Sequence, residues 1–129
     1  MSPASMSSVL AAIGGVCWIV KTLLIWANGG TSTTDGVVGL LFLTGFASLA
    51  GAVGLWAWDA TTGRAVALRS AATVCAVAGL FVAVNIPILI GYALIPGSWL
   101  AEEIGVVAVA ILAIFAWPVV IRSRFRKPG

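Results

Sequence analysis

The sequence predicts an all-α membrane protein with four transmembrane helices in an up-down bundle. Of its 129 residues, 61% are hydrophobic and only 9% are charged, and the mean hydropathy is +1.14. A soluble domain needs more charge on its surface than this. The apolar runs are long enough to cross a bilayer, which takes about 20 residues, and short turn-forming segments separate them. Residues 1–129 therefore form a single membrane domain.

The first predicted helix covers about residues 8–28 and contains the run VLAAIGGVCWIVKTLLIW. A cleaved signal peptide would have a basic start, an uninterrupted apolar stretch and a small-residue cleavage site. Here no Lys or Arg precedes the run, Lys21 interrupts it, and it ends in Trp26-Ala27-Asn28. We therefore expect this helix to be retained as a membrane span.

The second and third predicted helices cover about residues 37–58 and 70–95. The Gly- and Thr-rich segment GGTSTTDG precedes the second, and such a composition favours a loop. Within that helix Ala47 and Gly51 are four residues apart, a spacing of small residues that allows close helix packing. The third helix contains Asn85 and Pro87. Because proline removes a backbone donor, we expect a kink at Pro87.

The fourth predicted helix covers about residues 99–121, with Glu102 and Glu103 in its first turns. Negative side chains there suit the positive end of the helix dipole. After this helix comes a basic tail, for which we expect the role of a cytoplasmic anchor on anionic lipid headgroups; its charged residues are Arg122, Arg124, Arg126 and Lys127.

The distribution of basic residues predicts the orientation. With four spans, both termini and the loop between the second and third helices share one side, and this side holds every Lys and Arg except Lys21. The positive-inside rule then places both termini in the cytoplasm. The Ala-, Gly- and Val-rich composition, with Arg preferred over Lys, suggests a bacterial protein of the plasma (inner) membrane.

The residue inventory argues against most enzyme classes. The chain has no histidine, the commonest general base and a frequent metal and haem ligand. Its two cysteines, Cys17 and Cys75, fall in different predicted helices and form no CxxC pair. We expect no enzymatic activity, no metal and no cofactor. Nucleic acid is also an unsuitable partner, because the basic residues cluster at helix ends.

Lys21 is the residue that most needs an explanation, since a charge near the centre of a membrane helix costs roughly 2.5 to 3.5 kcal/mol. Counting ~1.5 Å per residue from the cytoplasmic side places Lys21, Thr44 and Asn85 at a similar depth, about 20 to 22 Å, with the glutamates a little further out. Neighbouring helical residues point about 100° apart, so only one glutamate can face Lys21. The face that Glu102 shares with Gly105 slightly favours Glu102. The predicted intramembrane polar cluster comprises Lys21, Thr44, Asn85, Glu102 and Glu103.

Three interpretations of this cluster remain open at this stage. It is a structural ion pair between two helices, a vestibule for an anionic or protonatable ligand, or a sign that Lys21 lies at a subunit interface or extends to the membrane surface. The first fits an accessory or structural subunit that packs with other membrane proteins or lipids. The second fits a small oligomeric transporter or channel. The expected partners are the lipid bilayer and another integral membrane protein or further copies of this chain.

Overall fold

The structure is a computed structural model that describes residues 2–29, 35–95 and 100–124. The described residues are helical, without strands. Three long helices come first, and a final helical rod contains one turn of π-helix. The elements are α1 (Pro3–Ala27), α2 (Asp35–Ala60), α3 (Val66–Leu94), α4 (Leu100–Ile111), the π-helix (Leu112–Ala116) and α5 (Trp117–Arg124).

Four helices are long and apolar enough to cross a membrane, as the sequence predicts. The boundaries differ at the helix starts. The first helix begins at Pro3 rather than near residue 8, because the Ser2 side chain accepts a hydrogen bond from the Ser5 backbone amide and proline suits the first helical position. A capped start extends the helix through a segment that composition alone describes as polar.

The contact between α1 and α2 depends on two glycines. A Cβ atom built on Gly14 would lie 2.8 Å from the carbonyl oxygen of Gly45 and 2.8 Å from Leu49 Cγ. The backbones thus approach as closely as small residues permit. Trp18 covers Gly45, and its indole Nε1 donates to the carbonyl of Phe42 at 3.1 Å. The tryptophan thereby fills the space that the glycine leaves and keeps its polar atom bonded.

Gly15, the next residue of α1, allows close packing against α4 and the π-helix. A Cβ atom on Gly15 would lie 2.8 Å from the carbonyl oxygen of Ala110 and 2.7 Å from Ile114 Cγ1. Because consecutive helical residues point about 100° apart, Gly14 and Gly15 allow α1 to pack closely against two neighbours at the same depth.

A third close contact joins α3 to α4 at the internal proline. A Cβ atom on Gly105 would lie 2.8 Å from both Pro87 C and Ile88 N. The glycine therefore packs on the backbone of the proline turn. α3 is one continuous helix through Pro87, and the kink expected there stays a prediction.

Small side chains dominate the core, and large apolar side chains dominate the outside. The buried core cluster consists of Ala11, Trp18, Leu49, Ala52, Val84, Val106, Ala110 and Ala113. On the surface, Leu40, Leu43 and Phe115 are each about two thirds exposed. Such an exterior suits hydrocarbon rather than water.

The π-helix was not expected from the sequence. Across it, the backbone amide of Trp117 donates to the carbonyl of Leu112, five residues back. Proline at position 118 lacks an amide hydrogen, and in a regular helix its ring would clash with the carbonyl of Ile114. The wider turn lies immediately before this proline, which provides a physical reason for its position.

The glycine contacts predict a large difference between two identical substitutions. Gly14→Ala places a methyl group against a backbone oxygen, and overpacking of this kind typically costs about 1 to 3 kcal/mol. Gly79→Ala is the matched control, because Gly79 is also helical but has nothing within 4 Å of an added Cβ. We expect the first variant to unfold at lower denaturant than wild type in detergent and the second to be unchanged or stabilised. Equal midpoints for the two variants would contradict the close packing of α1 on α2.

Candidate intramembrane charge pair

Lys21 and Glu103 form a buried ion pair between α1 and α4. The distance from Lys21 Nζ to Glu103 Oε1 is 2.6 Å. Each side chain is only 5% exposed. Both charged groups are therefore buried between the helices, and each compensates the charge of the other.

The second carboxylate oxygen of Glu103 is also bonded. Thr22 Oγ1 donates to Glu103 Oε2 at 2.6 Å. Consecutive residues of α1 thus hold the two oxygens of one carboxylate. This arrangement fixes the orientation of the carboxylate, because rotation would break one of the two short bonds.

The ring of Phe42 covers the ammonium group on the side of α2. Lys21 Nζ lies 5.7 Å from the ring centroid of Phe42, within the range of a cation–π contact. Phe42 in turn stacks on Trp18, with ring centroids 5.6 Å apart and planes within 5° of parallel. The charge pair and the tryptophan contact with α2 therefore form one connected unit across three helices.

The helical register explains why these groups meet. Trp18, Lys21 and Ile25 are buried positions of α1, spaced by three and four residues on one face. On α4, Glu103 shares a face with Val106 and Ala110, which are both fully buried. The carbonyl of Ala110 lies against α1 at Gly15, so this face of α4 is directed at α1.

The carboxylate that contacts Lys21 thus belongs to Glu103, and the preference for Glu102 was wrong. That preference treated the small residue Gly105 as a marker of the face toward α1. In the structure Gly105 packs on Pro87 of α3, so it marks a different interface. The side chain of Glu102 lies outside the described residues.

The structure places Asn85 and Thr44, two other members of the predicted polar cluster, outside the hydrogen bonds of the pair. Asn85 is half-buried, and its Nδ2 donates to the carbonyl of Phe81 one turn earlier in α3, at 2.8 Å. Thr44 is exposed on α2. Within the described ranges, neither has a hydrogen bond to Lys21 or Glu103. Similar depth did not imply a shared face.

The predicted basic anchor is described only in part. Arg122 is exposed on α5, and the backbone of Arg124 is the last residue of that helix. Arg126 and Lys127 lie outside the described residues. The anchor role itself stays a prediction.

Sequence reasoning missed a second buried polar contact near the other end of α1. Ser7 Oγ donates to the carbonyl of Ala52 at 2.6 Å and accepts from Trp117 Nε1 at 2.9 Å. Ser7 is completely buried. It was overlooked because the first helix was expected to start after it. The sequence did contain a signal for this contact: Ser2 can cap a helix, and a helix that starts there includes Ser7 just before the long apolar run.

The chemistry open to these groups is limited. Within residues 2–29, 35–95 and 100–124, no group of three His, Cys, Asp or Glu side chains is arranged to hold a metal ion. Cys17 is half-buried and Cys75 is exposed, and both are free thiols. Glu103 does line a surface pocket of about 320 Å³ together with Thr22, Ile104 and Val107.

Comparisons with protein-family models, with curated proteins and with solved structures find no match to this chain.

A double-mutant cycle tests the charge pair. Breaking a buried ion pair by removing one partner typically costs about 3 to 5 kcal/mol, because the other charge is left uncompensated. We expect Lys21→Met and Glu103→Gln each to lower the free energy of unfolding substantially. The double variant should be more stable than the sum of the two losses predicts, since no charge then remains buried. Unfolding in mixed micelles provides the measurement.

Glu102→Gln is the matched control for that cycle, because it makes the same chemical change at the adjacent residue. We expect its effect to add to that of Lys21→Met without coupling. Additive losses for Lys21→Met and Glu103→Gln, or coupling of Lys21 to Glu102 instead, would contradict the observed pairing.

Proposed function

We propose that this chain is a small accessory or structural membrane protein that packs with other integral membrane proteins or with lipids. The observation that supports this proposal is that the buried polar side chains of the protein bond to one another or to neighbouring helices. Lys21 and Glu103 bond to each other, and Ser7 and Trp18 bond to neighbouring helices. These bonds hold helices together, whereas the exterior offers apolar side chains for association.

The geometry of the pair supports a structural role over a transport site. Both oxygens of Glu103 already accept short hydrogen bonds from α1. A substrate would have to displace Lys21 or Thr22 from the carboxylate. Breaking the ion pair would leave one charge uncompensated within a membrane-spanning helix, where an unpaired charge is costly. A fixed link between α1 and α4 is the simpler use of the same residues.

The proposal includes an up-down bundle in the plasma membrane with both termini in the cytoplasm. Contacts along α1 and α2 run in opposite chain directions, since Ser7 bonds to Ala52 while Trp18 bonds to Phe42. Arg64, Arg69 and Arg122 fall on the side that the positive-inside rule assigns to the cytoplasm.

A small oligomeric transporter or channel is the second candidate, and one observation favours it. The pocket beside Thr22 and Glu103 lies between α1 and α4 and has a volume of about 320 Å³. A second copy of the chain could close this pocket around a carboxylate. Transport would then depend on Glu103.

The association state distinguishes the two candidates. The protein is extracted from native membranes in a polymer that retains lipid, and the mass of the intact assembly is measured. An accessory subunit should appear in a stoichiometric complex with a different integral protein or with defined lipids, and purified protein in liposomes should show no solute flux. A homo-oligomer whose flux disappears in Glu103→Gln, but not in Glu102→Gln, would overturn the accessory role in favour of transport.

The proposed orientation predicts opposite labelling of the two connections on either side of α2. In a variant with Cys17 and Cys75 replaced by alanine, Thr33→Cys tests the segment between α1 and α2, and Thr62→Cys tests the segment between α2 and α3. A membrane-impermeant maleimide added to intact cells should label Thr33→Cys, and Thr62→Cys should react only after the cells are permeabilised. The reverse pattern would contradict cytoplasmic termini.

A further inference from the structure

An apolar cavity of about 320 Å³ lies among the four long apolar helices. Each of the four contributes to its walls, which include Ala11 of α1, Ala52 of α2, Leu80 of α3 and Ala113 of the π-helix. Small side chains from several elements thus leave a space that larger residues would have filled. This volume is about twice that of an engineered apolar cavity of ~150 Å³ that binds benzene.

The lining of the cavity offers no free polar atom to a ligand. Trp117 lines the cavity, and its Nε1 donates to Ser7, whose hydroxyl in turn donates to the carbonyl of Ala52. Every other lining residue is Ala, Val or Leu. A water molecule needs two to four polar partners to be stable in a cavity. The lining therefore suits a hydrocarbon group rather than water or a polar ligand.

The cavity has a buried floor and a mouth that opens sideways. Ala11 and Ala52 are each only 1% exposed and form the floor, whereas Leu112 and Val120 are 60% and 49% exposed and lie at the mouth. α3 packs on α4 at Gly105 but has little contact with the π-helix or α5 over the described residues. The mouth therefore lies between α3 and the final helical rod, which consists of α4, the π-helix and α5. A ligand dissolved in the bilayer can enter there without passing through water.

The cavity is long and narrow. Val109, Leu112, Ala116 and Val120 line it at spacings of three and four residues, which places them on one face of the final helical rod. The 11 residue steps from Val109 to Val120 cover ~16 Å along the helix axis. A volume of about 320 Å³ spread over this length corresponds to a mean cross-section of about 20 Å².

These dimensions decide which occupant fits. An α-helix with its side chains is about 10 to 12 Å wide, so its cross-section of roughly 80 to 110 Å² is several times too large. Non-bonded carbon atoms approach to about 3.5 to 4.0 Å, so a single file of methylene groups has a cross-section of roughly 20 Å². The acyl chains of one leaflet fill about half of the ~30 Å hydrocarbon core, which matches the length of the cavity.

We propose that this cavity holds one unbranched acyl chain of a membrane phospholipid, lying along the face of the final helical rod from Val120 to Val109. This inference rests on the proposed insertion in a membrane and deepens it by naming the part of the lipid that binds and its site. An empty cavity loses the dispersion contacts of its lining, and a hydrocarbon chain restores them. The π-helix contributes Leu112, Ala113 and Ala116 to the lining, and π-turns inside helices are found frequently at functional sites.

Two phosphatidylcholines that differ only in their chains test the width of the cavity. Wild-type protein is reconstituted in an equimolar mixture of a lipid with unbranched chains and a lipid with methyl-branched phytanoyl chains. It is then extracted in mild detergent, and the retained lipids are counted by native mass spectrometry. We expect one lipid per protein chain, with the unbranched lipid in about ten-fold excess, because methyl branches would overpack so narrow a space. A ten-fold excess corresponds to ~1.4 kcal/mol, which is within the usual cost of overpacking.

A pair of variants tests the location of the retained lipid. Ala116→Phe adds a ring where the half-buried Ala116 lines the cavity, and it should abolish retention of the lipid. Ala47→Phe adds the same ring at an exposed position of α2 and should leave retention unchanged. Helix content and thermal unfolding are checked for each variant, and Ala116→Leu replaces Ala116→Phe if the latter does not fold.

Four results would overturn the proposal: wild-type protein without lipid, equal retention of the two phosphatidylcholines, unchanged retention in the cavity-filling variant, or dimers without lipid, in which a second copy of the chain covers the mouth. Lipid retention is measured on the isolated chain and does not depend on a different protein as partner. Loss of the acyl-chain site is therefore distinguishable from failure of the accessory role, which is read from the mass of the native assembly.

Discussion

The need to compensate one buried charge constrains most of this structure. An ammonium group away from water is stable only where an opposite charge and good hydrogen-bond geometry are present together. Lys21 satisfies this need with Glu103, and Thr22 fixes the carboxylate. The requirement sets the rotation of α1 and α4 about their axes, because any other rotation would separate the two charges.

Apolar packing inside a membrane lacks the solvent-driven force that orders a soluble core, so shape and hydrogen bonding decide which helices meet. Gly14 and Gly15 let α1 approach two neighbours at one level, and the charge pair lies about two turns further along the same helix. Trp18 connects the two features, since it covers Gly45 and stacks on the ring above the ammonium group. α1 is consequently the helix through which α2 and α4 are held together.

Composition and hydropathy were sufficient to predict four apolar helices and to single out Lys21 and its partner region. The choice between Glu102 and Glu103 was beyond the sequence, because a small residue marks a close contact without saying which neighbour it contacts. Asn85 was predicted at the same depth as Lys21, but it bonds to its own helix. Depth follows from counting residues along one helix, whereas contact between helices also depends on their relative rotation, which only the packed structure contains.

The π-helix also determines how the end of the chain is directed. The wide turn accommodates one residue more than a regular turn, so the residues beyond it are turned back by about 100° relative to a regular α-helix of the same sequence. Glu103 lies before this step and the arginines of α5 lie after it. The angular offset between Glu103 and the arginines of α5 is therefore set midway, at Leu112–Ala116. In a lineage that lost one residue there, the wide turn would close to a regular α-helical turn, and Glu103 and the arginines of α5 would keep the relative directions that they have now.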